Sequence, residues 1–561
     1  MQPSKPILRL TPLDLPLVLF LLSAILGQWP AYDRSLCWET RAILVAGFLL
    51  YALISRLGTS RAWWRAIATI LVLACVLLSL YFVAQYAHLG YPVKIRPISR
   101  LGALIGRLIP PLVIWVPVDN SVAAFLEGGL FLAVGLALTA RRKAWRVVGG
   151  IGVGLTALAL LMSTARGAWL AVLATAALWA AIYWRPARWI VGAGAFLALG
   201  LAVYVLVRGD ILALGDVPIL NRVLAPLFIR PDRLDVYRNS LYLIQDFALT
   251  GVGLGGQLAM VLSRYAMLIQ VPFLASSHNL YMEVWLQHGL LGAVAWLWLL
   301  VALYQSASTH ARQDTDLLYQ STWLGLTAVF VHGIFDARPY ADLWCWFPFF
   351  GLLGLDAAIL LRRDRAASLG RRWRRGWILP AAAVGVFLTA VLFSLHPVLA
   401  TWNANLGCVR QAQGDLSPSL SDGQRAKLRQ EAEMHYRRAI EIDPDNRTAQ
   451  QRLGLMMVDE GRFDEAVDHL ERAWQANPEN TTTRKALGLA YVWVGDLERA
   501  RPLLQTIPGI VDELNVWGWW RSAEKHQIPQ AINAYRMSLL LRPDQPPVQE
   551  RIDQLRIESA P

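Results

Sequence analysis

The chain has 561 residues, 55% of them hydrophobic and 24 of them Trp, with a mean hydropathy of +0.39. A soluble chain of this length does not need so much apolar surface, so a polytopic membrane protein is the expectation. The formal charge of +13 would suit a nucleic-acid partner, but its placement beside apolar runs points to membrane topology, and no nucleic acid is expected.

Eleven apolar runs approach the roughly 20 residues that a spanning helix needs. They are 12–29, 41–56, 65–88, 121–140, 145–163, 167–184, 188–207, 279–304, 317–335, 343–361 and 377–396. The first lacks a small-residue cleavage site and reads as a retained helix rather than a signal peptide. The stretch 101–117 is apolar but broken by Arg107 and Pro110-Pro111, which suggests an interfacial or re-entrant piece. Arginine-rich short loops, the densest holding Arg362, Arg363, Arg365, Arg371, Arg372, Arg374 and Arg375, put the N-terminus in the cytoplasm. Eleven spans then leave the C-terminal end outside. The four cysteines show no metal or disulfide spacing, and neither a metal nor a cofactor is expected.

A long outer segment, 208–277, separates the seventh run from the eighth. It holds six arginines (Arg208, Arg222, Arg230, Arg233, Arg238 and Arg264) and no lysine. Arginine presents a planar fork that grips phosphate oxygens in pairs. The plainer alternative for most of them is an interfacial position or an ion pair, for Arg238 with Asp235 or Asp246. Gly251, Gly253, Gly255 and Gly256 let backbone pass close to a ligand, yet the setting is not that of a nucleotide loop.

His278 stands at the mouth of the eighth run, where an ionisable group is costly without a partner. A helix N-terminus disfavours imidazolium, so His278 is expected neutral and able to take a proton. Snorkelling to the interface is the alternative. Asn279 follows it. Glu283 lies deeper and off its face, and a pairing with an arginine inside the bundle is expected. His332 and Asp336 are four apart, hence on one helix face, and either orient His278 or bind sugar hydroxyls. A helix-end interaction without chemistry fits them equally.

After residue 400 the composition turns charged and helical. Pro444 and Pro478, Gly454 and Gly488, and Gly461 and Gly495 each recur at 34 residues. That period marks tetratricopeptide repeats, helix pairs stacked into an α-solenoid. A partial unit (431–446) leads and a degenerate one (528–545) trails. The domains expected are 1–400, transmembrane, and 401–561, an extracytoplasmic solenoid.

Three segments carry a family resemblance: STARGAWLA (163–171), RLDVYRNSLYLIQDFALTGVGLGGQ (233–257) and SSHNLYMEVWLQHGLLG (276–292). In this order they resemble the Ser-Arg-Gly element, the Arg-containing loop with a Gly-rich turn and the SHNxYxExxxxxGxxG hallmark of the O-antigen ligase and polymerase superfamily of bacterial membrane glycosyltransferases. The resemblance spans roughly 13–396. It departs at Thr164-Ala165, where the family often has Ser directly before Arg, and this puts the local turn in question. The resemblance implies an all-α bundle of about 11–12 spans of the C-type glycosyltransferase kind in the bacterial cytoplasmic membrane. It implies an undecaprenyl-diphosphate-linked glycan donor, inversion at the anomeric carbon, and neither metal nor nucleotide. It makes Arg166 and Arg238 the diphosphate clamps and His278 the general base. The acceptor is left open among the lipid A core, another lipid-linked glycan and a protein hydroxyl, and the repeats add an envelope-assembly protein as a possible partner. Two rival classes stay open. A lipid-linked glycan flippase would need polar groups at mid-membrane depth, and an assembly scaffold would need no intact site.

Overall fold

The computed structural model describes residues 10–208, 231–269, 271–311, 317–366, 372–395, 397–524 and 526–558. These residues are predominantly helical, with no strand among them. They form two compact units. The first holds Met1–Leu241, Thr250–Ala259 and Leu274–Val391; the second holds Tyr242–Leu249, Met260–Phe273 and Leu392–Pro561. The second unit is therefore not the continuous stretch expected from residue 401, because it includes two pieces of the long outer segment.

In chain order the helices up to the end of the first unit are α1 (Asp14–Leu26), α2 (Cys37–Leu57), α3 (Arg61–Gln85), α4 (Arg96–Leu108), α5 (Asp119–Thr139), α6 (Lys143–Met162), α7 (Arg166–Tyr183), α8 (Arg185–Arg208), α9 (Pro231–Asp246), α10 (Gln257–Val261), α11 (Leu280–Ala311), α12 (Leu317–His332), α13 (Arg338–Ala341), α14 (Trp346–Ala366) and α15 (Arg372–Ser394). The eleven apolar runs coincide with α1, α2, α3, α5, α6, α7, α8, α11, α12, α14 and α15. Among the described residues, seven helices are long and apolar enough to cross a membrane unaided, namely α2, α3, α5, α6, α7, α11 and α14. This is fewer than the eleven expected. α1 has 13 residues and α12 has 16, so both fall short in length.

α12 is enclosed by its neighbours: Leu318 through Phe330 are all buried. It runs antiparallel to α5, and the two approach closely where Gly128 meets Gly325. A Cβ on Gly325 would lie 2.7 Å from the Gly128 carbonyl oxygen. Small residues at such crossings let backbones touch in an apolar medium. The expected interfacial stretch forms α4 followed by an extended run. Pro110-Pro111 cannot donate to a helix and leave backbone groups to be matched from α3. Gln85 meets both needs, accepting from Leu112 N at 2.7 Å and donating to Pro110 O at 3.3 Å.

The second unit adds α16 (Val398–Leu416), α17 (Asp422–Ile442), α18 (Arg447–Glu460), α19 (Phe463–Ala476), α20 (Thr481–Val494), α21 (Leu497–Leu504), α22 (Ile510–Ala523), α23 (Ile528–Leu541) and α24 (Pro546–Glu558). The 34-residue period has a physical content at each recurrence. Asn446 and Asn480 cap α18 and α20, accepting from Ala449 N and Thr483 N. Gly461 and Gly495 close the same helices at φ +80° and +90°, the left-handed cap that glycine adopts without strain. Gly454 and Gly488 are tight packing points, where a Cβ would come within 2.7 Å of Leu470 and 2.6 Å of Leu504. Two expectations change. The leading unit is a full pair, α16–α17, in which Gly407 packs against the Tyr436 ring. The trailing unit pairs α23 with α22, because the eight-residue α21 stops soon after Pro502 and the chain restarts at Ile510.

Candidate active site

The third motif folds as a left-handed turn followed by a broken helix. His278 sits at φ +52°, an unusual conformation for a non-glycine residue. Asn279 then caps α11, accepting from Tyr281 N and Met282 N at 3.0 Å, and its amide donates to Ile334 O at 2.9 Å. The conformation that Asn279 secures lifts His278 off the helix. Thr164, directly before Ala165-Arg166, also has positive φ (+55°), so the position at which the first motif departs from the family pattern is itself a strained turn.

α11 is interrupted at Gly289, whose φ is +64° and ψ −163°. The break frees the Leu286 carbonyl, which accepts from Val252 N at 2.7 Å. Gly255 N donates to Gln287 Oε1 at 2.9 Å. A Cβ on Gly251 would lie 2.7 Å from Gly289 N, and one on Gly253 2.7 Å from Ala31 Cα. The glycine run thus makes its close approach to the protein's own backbone rather than to a ligand.

Around His278 the structure gathers side chains from four elements. Asp336, in the turn after α12, puts Oδ1 3.8 Å from His278 Nδ1. The same oxygen accepts from Arg338 Nε at 2.8 Å and from Ala337 N at 2.9 Å, while Oδ2 accepts from Asn120 Nδ2 at 3.0 Å. Burial alone would raise the Asp336 carboxyl. The neighbouring His278 imidazole and the Arg338 guanidinium outweigh it, with His332 adding to them, and hold the group well below the usual carboxylate range. Asp336 is 3% exposed, while the His278 side chain keeps 23% of its surface open. From α9, Tyr237 donates to the His278 carbonyl at 3.2 Å and Arg233 Nη1 to Phe335 O at 2.7 Å.

The other candidates divide. α12 ends at His332, and one further helical turn carries the chain to Asp336, whose N donates to His332 O at 3.0 Å. His332 Nδ1 lies 3.0 Å from Glu127 Oε2 on α5. A Cβ on Gly167 would lie 3.1 Å from the His332 ring, so the turn bearing Arg166 packs on that imidazole. Among the described residues Glu283 forms no ion pair with an arginine. Buried, it accepts from Ser277 N (2.8 Å) and Ser277 Oγ (2.6 Å) and takes Gln287 Nε2 at 2.8 Å, which ties down the turn before His278. Arg238 makes the ion pair foreseen as its alternative, Nη2 to Asp235 Oδ1 at 2.9 Å. Asp246 is engaged elsewhere. Arg222 and Arg230 lie outside the described residues.

Sequence reasoning missed Glu127, Asn120, Arg338 and His288. Glu127 and Asn120 come from α5, outside the three motifs, and Arg338 opens α13 two residues after Asp336. His288 lies inside the motif but reads as a helical residue. It is buried between Ser23 Oγ (2.9 Å from Nδ1) and Tyr340 Oη (2.6 Å from Nε2), with Phe20 stacked on the ring. Among the described residues no group of three or more His, Cys, Asp and Glu is placed to hold a metal ion.

A bundle of apolar helices around a polar cluster of His278, Asp336 and Arg338 defines a multi-pass membrane protein with a candidate catalytic site. Comparison with known families narrows the class: residues 151–297 match the family model described as O-antigen ligase, and residues 457–517 match that of the tetratricopeptide repeat. The chain thus carries a segment similar to O-antigen ligase and, further along, one similar to tetratricopeptide repeats, in agreement with the motifs. The matched segment contains Arg166, Arg238 and His278; Glu127, His332 and Asp336 lie outside it. A search of curated proteins found no match.

Proposed function

We propose that this protein transfers a glycan from an undecaprenyl-diphosphate-linked donor to an acceptor hydroxyl at the outer face of the bacterial cytoplasmic membrane. The observation that carries the reading is the carboxylate of Asp336 at 3.8 Å from His278 Nδ1. A buried anion there favours the tautomer with the proton on Nδ1, which leaves Nε2 free to take a proton from the acceptor. The gap exceeds a hydrogen bond, and closure on binding substrate is common for catalytic groups.

In this reading the acceptor oxygen attacks the anomeric carbon as its proton passes to His278, and the bond to the lipid diphosphate breaks. The leaving group is a good one and needs charge stabilisation rather than strong protonation. Arg166 and Arg238 supply that charge, and Asp336 is a positioning residue. The N-terminus is cytoplasmic and the repeats are extracytoplasmic. The test is a purified-protein assay that measures donor binding and glycan transfer separately for His278→Ala and His278→Gln. Loss of transfer with retained donor binding in both is expected, since an amide hydrogen-bonds an acceptor but cannot take its proton. Near-normal transfer by the Gln variant overturns the base assignment.

A further inference from the structure

We infer that the ligand-binding face of the repeat unit is a receptor for this chain's own outer segment, residues 242–249 and 260–269, rather than for a separate protein. All these residues belong to the second unit. The bonds that hold them come from the first helix of three successive pairs, α16, α18 and α20. From α16, Asn405 Oδ1 accepts from Leu249 N at 2.9 Å, Asn405 Nδ2 donates to Asp246 O at 2.8 Å, and Asp415 accepts from the Tyr265 hydroxyl at 2.9 Å. From α18, Arg447 Nη2 (2.6 Å) and Thr448 Oγ1 (2.9 Å) donate to one oxygen of Asp246, and Arg452 donates to the other through Nε (3.1 Å) and Nη2 (2.8 Å). Asp459, at the end of α18, takes Arg264. From α20, Thr482 donates to Ala266 O at 2.5 Å and Lys485 to Met267 O at 3.1 Å.

This is how a solenoid holds a peptide, with repeated positions of one helix per pair reading backbone and side chains along a shared face. The setting of Arg452 says that the face is built for this occupant. Arg452 is fully buried, with its guanidinium 3.9 Å from the centre of the Tyr265 ring and its charge met by Asp246. Without the outer segment that cation would lose its counter-ion, a costly state for a buried charge. Beside the segment a cavity of about 60 Å³, lined by Arg264, Leu268, Asp459, Trp493 and Arg521, has room for waters or one small group.

The test uses the full-length protein in membranes and reads chymotryptic cleavage after Tyr265, a site 2% exposed. Cleavage there follows the population in which the segment has left the face. Asp246→Arg sets like charge against Arg447 and Arg452, and an increase in cleavage of at least about tenfold is expected, with the repeat helices themselves still resistant. Adding Arg452→Asp restores an opposite pair and should return cleavage to within about twofold of the unsubstituted protein. Thr482→Val with Lys485→Met removes two bonds to the segment's backbone and should raise cleavage severalfold by itself. Unchanged cleavage in Asp246→Arg or in the α20 double variant overturns the inference. So does digestion of the repeats together with the segment that the Arg452→Asp reversal fails to correct, because Asp246 would then hold the fold and not an occupant.

Discussion

Two buried carboxylates, one in each unit, sit among the same kinds of partner and do different things. Asp246 is saturated: two arginines and a threonine fill its oxygens, and Arg452 has no exposed surface at all. Asp336 is saturated on the side of Arg338, Asn120 and its own backbone, but on the remaining side it faces an imidazole at 3.8 Å that is partly open. A buried charge cluster is therefore not in itself a site. What separates the two is whether one member keeps an ionisable side chain partly exposed, as His278 does at 23%.

The largest expected effect tests the open cluster. His278→Ala should lower the transfer rate by about three to four orders of magnitude with donor affinity little changed, as measured by single-turnover transfer and by separate binding. The closed cluster should respond in stability instead. Asp246→Asn leaves two arginines facing a neutral amide, and a loss of about 3–5 kcal/mol in the hold of the repeats on the outer segment is expected, read as raised cleavage after Tyr265 with the repeat helices still resistant. Its pH dependence follows from sign. Burial would raise the Asp246 carboxyl, but Arg447 and Arg452 outweigh it and hold it below its ordinary value. Its contribution is then complete above the unfolded-state value of about 3.9 and is lost as pH falls through the lower folded value. The unsubstituted protein should lose stability in that acid window, whereas Asp246→Asn should show a shallower slope there.

Asp336→Asn comes next. The amide keeps the shape but no longer favours the proton on Nδ1, and a fall of about a hundredfold in the transfer rate is expected. A matching fall in donor binding would mean that the turn had collapsed and that the two clusters differ less than proposed. The smallest effect is Arg238→Lys, which keeps charge but loses the fork. About a tenfold loss of turnover is expected, roughly 1.4 kcal/mol. Wild-type turnover would overturn the paired grip on phosphate oxygens.

The sequence alone determined what depends on local period and length. Apolar runs marked where eleven helices lie, but only seven of these are long and apolar enough among the described residues to cross a membrane by their own composition. The 34-residue recurrence fixed the repeat pairs, because Asn446, Gly454 and Gly461 each do a local job that recurs at Asn480, Gly488 and Gly495. The motifs pointed to His278 and Arg166 by resemblance, and no residue pattern around them could say which groups they would meet. That was left to tertiary structure. Asp336 reaches His278 because α12 ends at His332 and the chain turns, and Glu127 reaches His332 because Gly128 and Gly325 let α5 and α12 touch. Gly251 and Gly253 proved to be packing points for the same reason: a glycine reports that something comes close, and only the fold says what. The outer segment shows this most plainly. Its residues lie about 200 positions from Arg447 and Arg452, and a contact between charges so far apart in sequence leaves no periodic trace.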